Sequence, residues 1–166
     1  MMEYINELLS RYRQKGILID TNILLLYFVG TVNRERISKF KRTQQFIPED
    51  YDLLQSIIAY FRNIVTTPNI LTEVNSLTNQ LSEPERSRCL AEIAQGFTAF
   101  FNEFYVDSKT ISTDGSFIRF GLTDSGILQL ARNQYLVLTD DLKLSVHLER
   151  EEVDVINFNQ LRTLGW

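Results

Sequence analysis

Gly16 to Gly30 reads GILIDTNILLLYFVG. Ile17-Leu18-Ile19 is an apolar run of the kind found in strands buried on both faces of a sheet. The run ends on Asp20, and after Thr21 and Asn22 an apolar segment of helical character follows at once. In an open α/β sheet, ligands bind outside the carboxyl ends of the strands, where each strand hands over to a helix. A carboxylate at such a junction faces a crevice and suits a hard cation. The plainer role for Asp20 is to cap the following helix, which acidic residues do well.

Working outward, residues 1–15 carry Tyr4, Ile5, Leu8, Leu9 and Tyr12 at helical spacing, which predicts a short N-terminal helix. Beyond Gly30 the chain turns polar, and Asn33 to Arg42 holds Arg34, Arg36, Lys39, Lys41 and Arg42 against the single acid Glu35. Pro48-Glu49-Asp50 opens a helix with Tyr51, Leu54, Ile57, Ile58 and Phe61 as its apolar stripe, so 31–62 reads as a helical insertion. Ile64-Val65-Thr66 is a short strand; Thr67 then caps a helix that has Pro68 at its first position and carries Glu73. The helix after Ser82-Glu83-Pro84-Glu85 is expected to end near Phe104, with Asp107 to Ser116 as strand edge and loop. Thr123-Asp124 is expected to start another helix, and Tyr135 to Thr139 is a second buried strand ending on Asp140-Asp141. A helix over Asp141 to Glu149 and a last strand over Val153 to Phe158 complete the chain. Strands alternating with helices predict an α/β domain with a mostly parallel sheet, and the absence of a linker or repeat predicts one domain over 1–166.

Composition narrows the chemistry. With a net charge of −4, no global field draws in nucleic acid, and contact with a polyanion needs a local basic patch or bridging cations. Cys89 is the only cysteine, which excludes an internal disulfide or a cysteine-based zinc site and fits a reducing compartment. The charged, amphipathic N-terminus lacks the apolar core of a signal peptide, and the Ile23 to Val29 run is too short to span a bilayer, so a cytoplasmic protein without membrane partners is expected. No glycine-rich phosphate loop is present, and Ser116 and Ser125 have no histidine at a suitable spacing for nucleophilic catalysis. His147 reads as structural and Cys89 as a core residue; Phe40 and Phe46 read as core or lid packing ahead of base stacking.

Two strands end in aspartates, and two helices carry an acid in the first or second turn. In a parallel sheet these ends share one edge, which would bring Asp20, Glu73, Asp124 and Asp140 or Asp141 to one crevice. Clustered carboxylates raise one another's pKa unless a cation joins them. Carboxylate oxygens suit Mg²⁺ or Mn²⁺, whereas zinc favours histidine or cysteine, and the chain has one of each. The chemistry this suggests is metal-assisted attack of water on a phosphodiester. Acids at helix starts are also favoured by the helix dipole alone, so it is the joint pattern that carries the inference.

The stretches IDTNILLLY, TPNILTEVNSL, GLTDSGILQLA and YLVLTDD, in this order, resemble those of PIN-domain proteins over nearly the whole chain beyond the N-terminal helix. The resemblance implies a three-layer α/β/α sandwich with a central sheet of four to five strands. It also implies a Mg²⁺- or Mn²⁺-dependent endoribonuclease of the VapC-like kind, including toxins of toxin–antitoxin pairs. Its partners would then be an RNA substrate, an antitoxin protein and a second copy of the chain. On this basis Asp20, Glu73, Asp124 and Asp141 resemble the four family acids, with Asp140 as a neighbouring donor. Thr21, Asn22 and Thr139 would support them by hydrogen bonds. The interval between Asp20 and Glu73 is longer than in compact toxins, and its basic residues Arg34, Arg36, Lys39, Lys41 and Arg42 read either as a local patch for RNA phosphates or as a solvated helix face or a site for an acidic partner segment. The rival from another class is a PIN-fold module that binds RNA or protein without cleavage. A response-regulator phosphoacceptor also has acids at strand ends, but the acidic pair after strand one and the lysine after the last strand are missing here.

Overall fold

Three short segments have no polar side chain before their last residue and are buried throughout: Ile17–Ile19, Ile64–Thr66 and Leu136–Thr139. In the computed structural model, which describes residues 1–164, they are β1, β2 and β4 of one five-stranded sheet. Phe101–Glu103 (β3) and Val155–Asn157 (β5) are its edges, the order is β3-β2-β1-β4-β5, and every pairing is parallel. Ile17 pairs with both Ile64 and Leu136, so β1 lies at the centre.

The helices are α1 (Met2–Tyr12), α2 (Thr21–Val32), α3 (Pro48–Tyr60), α4 (Pro68–Thr78), α5 (Glu85–Ala99), α6 (Ser108–Ser112), α7 (Phe117–Ala131), α8 (Leu142–Arg150) and α9 (Phe158–Leu164). With the sheet they form a three-layer α/β/α sandwich. The expected single domain reaches 166, and residues 165 and 166 lie outside those described. Within 31–62 the chain forms a 3₁₀ turn, Arg34–Lys39, and then α3.

α2 is apolar all round because helices surround it: it packs against α3, α4 and α5. Such a helix belongs to a core and has no solvated face to keep polar. Gly30 is required where α2 meets α3, since a Cβ there would lie 2.3 Å from Cδ2 of Tyr51.

Two short helices lie outside expectation, α6 within the segment expected as strand edge and loop and α9 after the last strand, and two longer segments differ from it. The helix predicted to reach Phe104 stops at Ala99, and Phe101–Glu103 pairs with β2 as an edge strand. The Phe101 ring folds back over Gly96 and against Phe28, at 5.7 Å between ring centroids, which turns the chain toward the sheet. Only Phe101 of the three strand residues is buried, so the period-2 signal of a strand is absent. The second departure is the start of α7 at Phe117, ahead of the expected Thr123. Gly121, with φ 78° and ψ −170°, interrupts the helix in a conformation that favours glycine, and helical geometry resumes just before Thr123.

Candidate functional site

From the central β1 the chain moves outward to β2 and β3, then returns to the other side of β1 for β4 and β5. Strand order therefore reverses between β1 and β4, the place where an open sheet leaves a crevice beyond its carboxyl ends. Asp20 follows β1 there, and Asp140 and Asp141 follow β4.

Asp20 is 7% exposed and held from two sides. Its Oδ1 accepts the Thr21 amide at 2.7 Å, which makes it the cap of α2, and its Oδ2 accepts the Thr139 hydroxyl at 2.6 Å. The two roles weighed in the sequence thus coexist: one oxygen caps the helix while the other crosses the sheet to β4. Glu73 lies one turn and a half into α4, after the Thr67 cap and Pro68 start expected from sequence. Its Oε2 accepts Thr21 Oγ1 at 2.9 Å and its Oε1 accepts Thr123 Oγ1 at 2.6 Å. Three threonines, Thr21, Thr123 and Thr139, thereby join stretches 52 and 50 residues apart around Glu73 and 119 apart around Asp20. Thr123 was not singled out by sequence; the available signal was its position directly before Asp124.

Asp140 is half-buried, and its carboxylate accepts Asn22 Nδ2 at 3.3 and 3.5 Å. Asp141 is exposed, and its Oδ1 accepts the amides of Lys143 at 2.7 Å and Leu144 at 3.1 Å as the cap of α8.

Burial pushes the Asp20 carboxyl up to about 6, with Asp140 and Glu73 adding repulsion and the Thr139 and Thr21 hydrogen bonds opposing. Burial likewise pushes Asp124 up to about 7, and Asp20, Glu73 and Asp141 add to it. Asp140 is also raised, by burial first, against the bonds from Asn22 and Gln45. Each ion pair among the described residues lies elsewhere, so no side-chain cation neutralises these acids. An all-oxygen donor set with mutual repulsion and no internal counter-charge fits a hard divalent cation. Among the described residues, however, no three His, Cys, Asp or Glu side chains stand close enough to hold an ion as placed. Both oxygens of Asp20 and of Glu73, and one of Asp141, accept hydroxyl or amide donors.

The basic segment is mostly engaged elsewhere. Arg34 pairs with Asp52, Arg36 with Glu85 at 2.8 Å, and Arg42 Nε donates to Gln80 at 2.8 Å. These contacts knit the insertion to α3, the end of α4 and α5, and leave Lys39 and Lys41 outside any ion pair among the described residues. Phe40 and Phe46 are buried in the core. His147 stacks on Phe120 at 4.3 Å with its Nε2 buried, and Cys89 is buried with its thiol pushed up to about 11. No helix of the described residues is long and apolar enough to cross a membrane.

Comparison of the chain with models of protein families and with curated proteins finds no match.

Proposed function

We propose that the chain is a PIN-like, Mg²⁺- or Mn²⁺-dependent endoribonuclease acting in the cytoplasm, as the toxin of a toxin–antitoxin pair. The observation that supports this best is the set of threonine hydroxyls that fixes acids from β1 and α4 at the reversal of strand order, beside Asp124 and Asp140. Asp20, Glu73, Asp124 and Asp141 would hold the ion, with Asp140 as an adjacent donor. When bound, the ion supplies Lewis-acid chemistry, lowering the pKa of a water and neutralising phosphate charge. The chain's own residues do the rest. Thr139 and Thr21 orient Asp20, Thr21 and Thr123 orient Glu73, and Asn22 faces Asp140 from the start of α2. The buried, like-charged carboxylates are destabilised without a counter-ion, which raises the site's preference for a divalent cation over water.

Replacing Asp20 with Asn keeps the shape of the cap and removes the central charge. Mn²⁺-stimulated cleavage of single-stranded RNA should fall by at least a hundredfold in D20N, with the thermal midpoint unchanged or higher. Activity that survives this change places the chemistry elsewhere.

One observation favours the second reading, a binding module without turnover: no three acids converge on an ion as placed. That reading predicts RNA or protein binding with no cleavage under any divalent ion.

A further inference from the structure

We infer that Arg162, on α9, is a positioning residue that holds Asp140 in place at the acidic site, through Gln45 on one side and Asn159 on the other. The inference rests on the metal-dependent reading above. Asp141 is fixed locally by the first amides of α8, whereas the Asp140 carboxylate is held from another element, by Asn22 of α2, with Gln45 of the insertion near enough to hold its pKa down. Its main-chain carbonyl also accepts Asn159 Nδ2 at 3.1 Å, from the first turn of α9.

A single guanidinium orders both supports. Arg162 Nη1 donates to Asn159 Oδ1 at 3.1 Å, and Nη2 donates to the Gln45 carbonyl at 3.0 Å. Its Nε donates to Asp50 Oδ1 at 2.8 Å, and the group lies over the Phe46 ring at 5.2 Å from the centroid. Asp50 is buried at the start of α3, and its other oxygen accepts the Ile47 amide at 2.8 Å. Buried pairing with Asp50 and packing on Phe46 anchor the arginine, so its two remaining donors are fixed in direction. The planar fork is what lets one side chain serve three acceptors at once; a lysine ammonium in the same place could keep the pairing with Asp50 but not all three directions. The insertion and the C-terminal helix thus meet at Arg162, and both touch Asp140 from there. Groups that orient metal-binding side chains in this way change metal affinity by about 10–100-fold when removed.

The test compares the intact chain with R162K and N159A, titrating Mn²⁺ by calorimetry at fixed pH and recording thermal midpoints alongside. Weakening of Mn²⁺ binding by about tenfold in each variant, with the R162K midpoint within a few degrees of wild type, is the expected result. The double variant should be no weaker than R162K alone, because R162K already releases the Asn159 support that N159A removes. Affinities within twofold of wild type, or losses that multiply in the double variant, overturn the assignment. If the wild type binds Mn²⁺ but cleaves no RNA, the ribonuclease reading falls while these affinity ratios still decide the role of Arg162. If the wild type binds no Mn²⁺, the side-chain amide resonances of Asn22 and Asn159, which donate to Asp140, decide it. Their movement to free-amide positions in R162K supports the role, and unchanged resonances overturn it.

Discussion

At the scale of single residues, Asp124 shows how the site works against the fold. Its folded pKa of about 7 lies above the ordinary 3.8, so the fold penalises its charged form. The sign follows directly: the folded state binds the proton more tightly, so the penalty is full above pH 7 and relieved as pH falls through 7 toward 4. The metal-free protein should therefore gain stability from this group between pH 8 and pH 4. Asp124→Asn should raise the melting temperature at pH 8 in EDTA by on the order of 5 °C, and the gain should shrink as pH falls through 7 and vanish only near pH 4. Calorimetry across that pH range checks both halves, and an Asn variant no more stable than wild type at pH 8 contradicts the stated electrostatics. The same residue scale explains Asp20. Its position after an apolar strand is legible in the sequence, but the bond to Thr139, 119 residues away, exists only because β1 and β4 are adjacent.

At the scale of elements, the interior of the sandwich turns on α2. An all-apolar helix cannot lie on a surface, and its burial beneath α3, α4 and α5 fixes the direction in which Asp20 and Asn22 leave β1. Close approach at Gly30 is part of that packing, with the Tyr51 hydroxyl 3.0 Å from Thr31 Oγ1 just beyond it. Gly30→Ala should cost about 2 kcal/mol, since the added methyl overlaps a ring held by core neighbours. Urea unfolding should show a lower midpoint at an unchanged slope. α7 teaches a related point: Gly121 interrupts the helix, so that Thr123 and Asp124 begin its second half and reach back to Glu73. The sequence pattern predicts a start at Thr123, where helical geometry resumes after Gly121, while the turn of helix before it, Phe117 to Phe120, carries no strong periodic signal. β3 was missed on similar grounds, because an edge strand with one buried residue looks like the end of a helix.

At the scale of the molecule, the acids concentrate where strand order reverses, and no ion pair among the described residues compensates their summed charge. A cation that binds only the folded state must then stabilise it by mass action. Mn²⁺ at a hundred times its dissociation constant adds about 2.7 kcal/mol, which for a chain of this size is about 8 °C in melting temperature. Asp20→Asn should abolish most of that increment, and EDTA should reverse it in the wild type. A wild-type midpoint indifferent to Mn²⁺ would favour a binding module.

What the sequence by itself determined is local and patterned: apolar runs that must be buried strands, a threonine and proline that must start α4, and acids at strand and helix ends that a parallel sheet brings to one edge. These follow from periodicity, capping and backbone geometry, which act over a few residues. Only the tertiary structure decided which oxygens meet. It placed β1 beside β4, set Thr21 and Thr123 on Glu73, drew Arg34, Arg36 and Arg42 into contacts with Asp52, Glu85 and Gln80, and brought Arg162 to Asp50, Gln45 and Asn159. Hydrogen bonds and ion pairs reach only about 3 Å, and partners from 18 to 117 residues apart come within that reach only after packing has fixed the course of the whole chain.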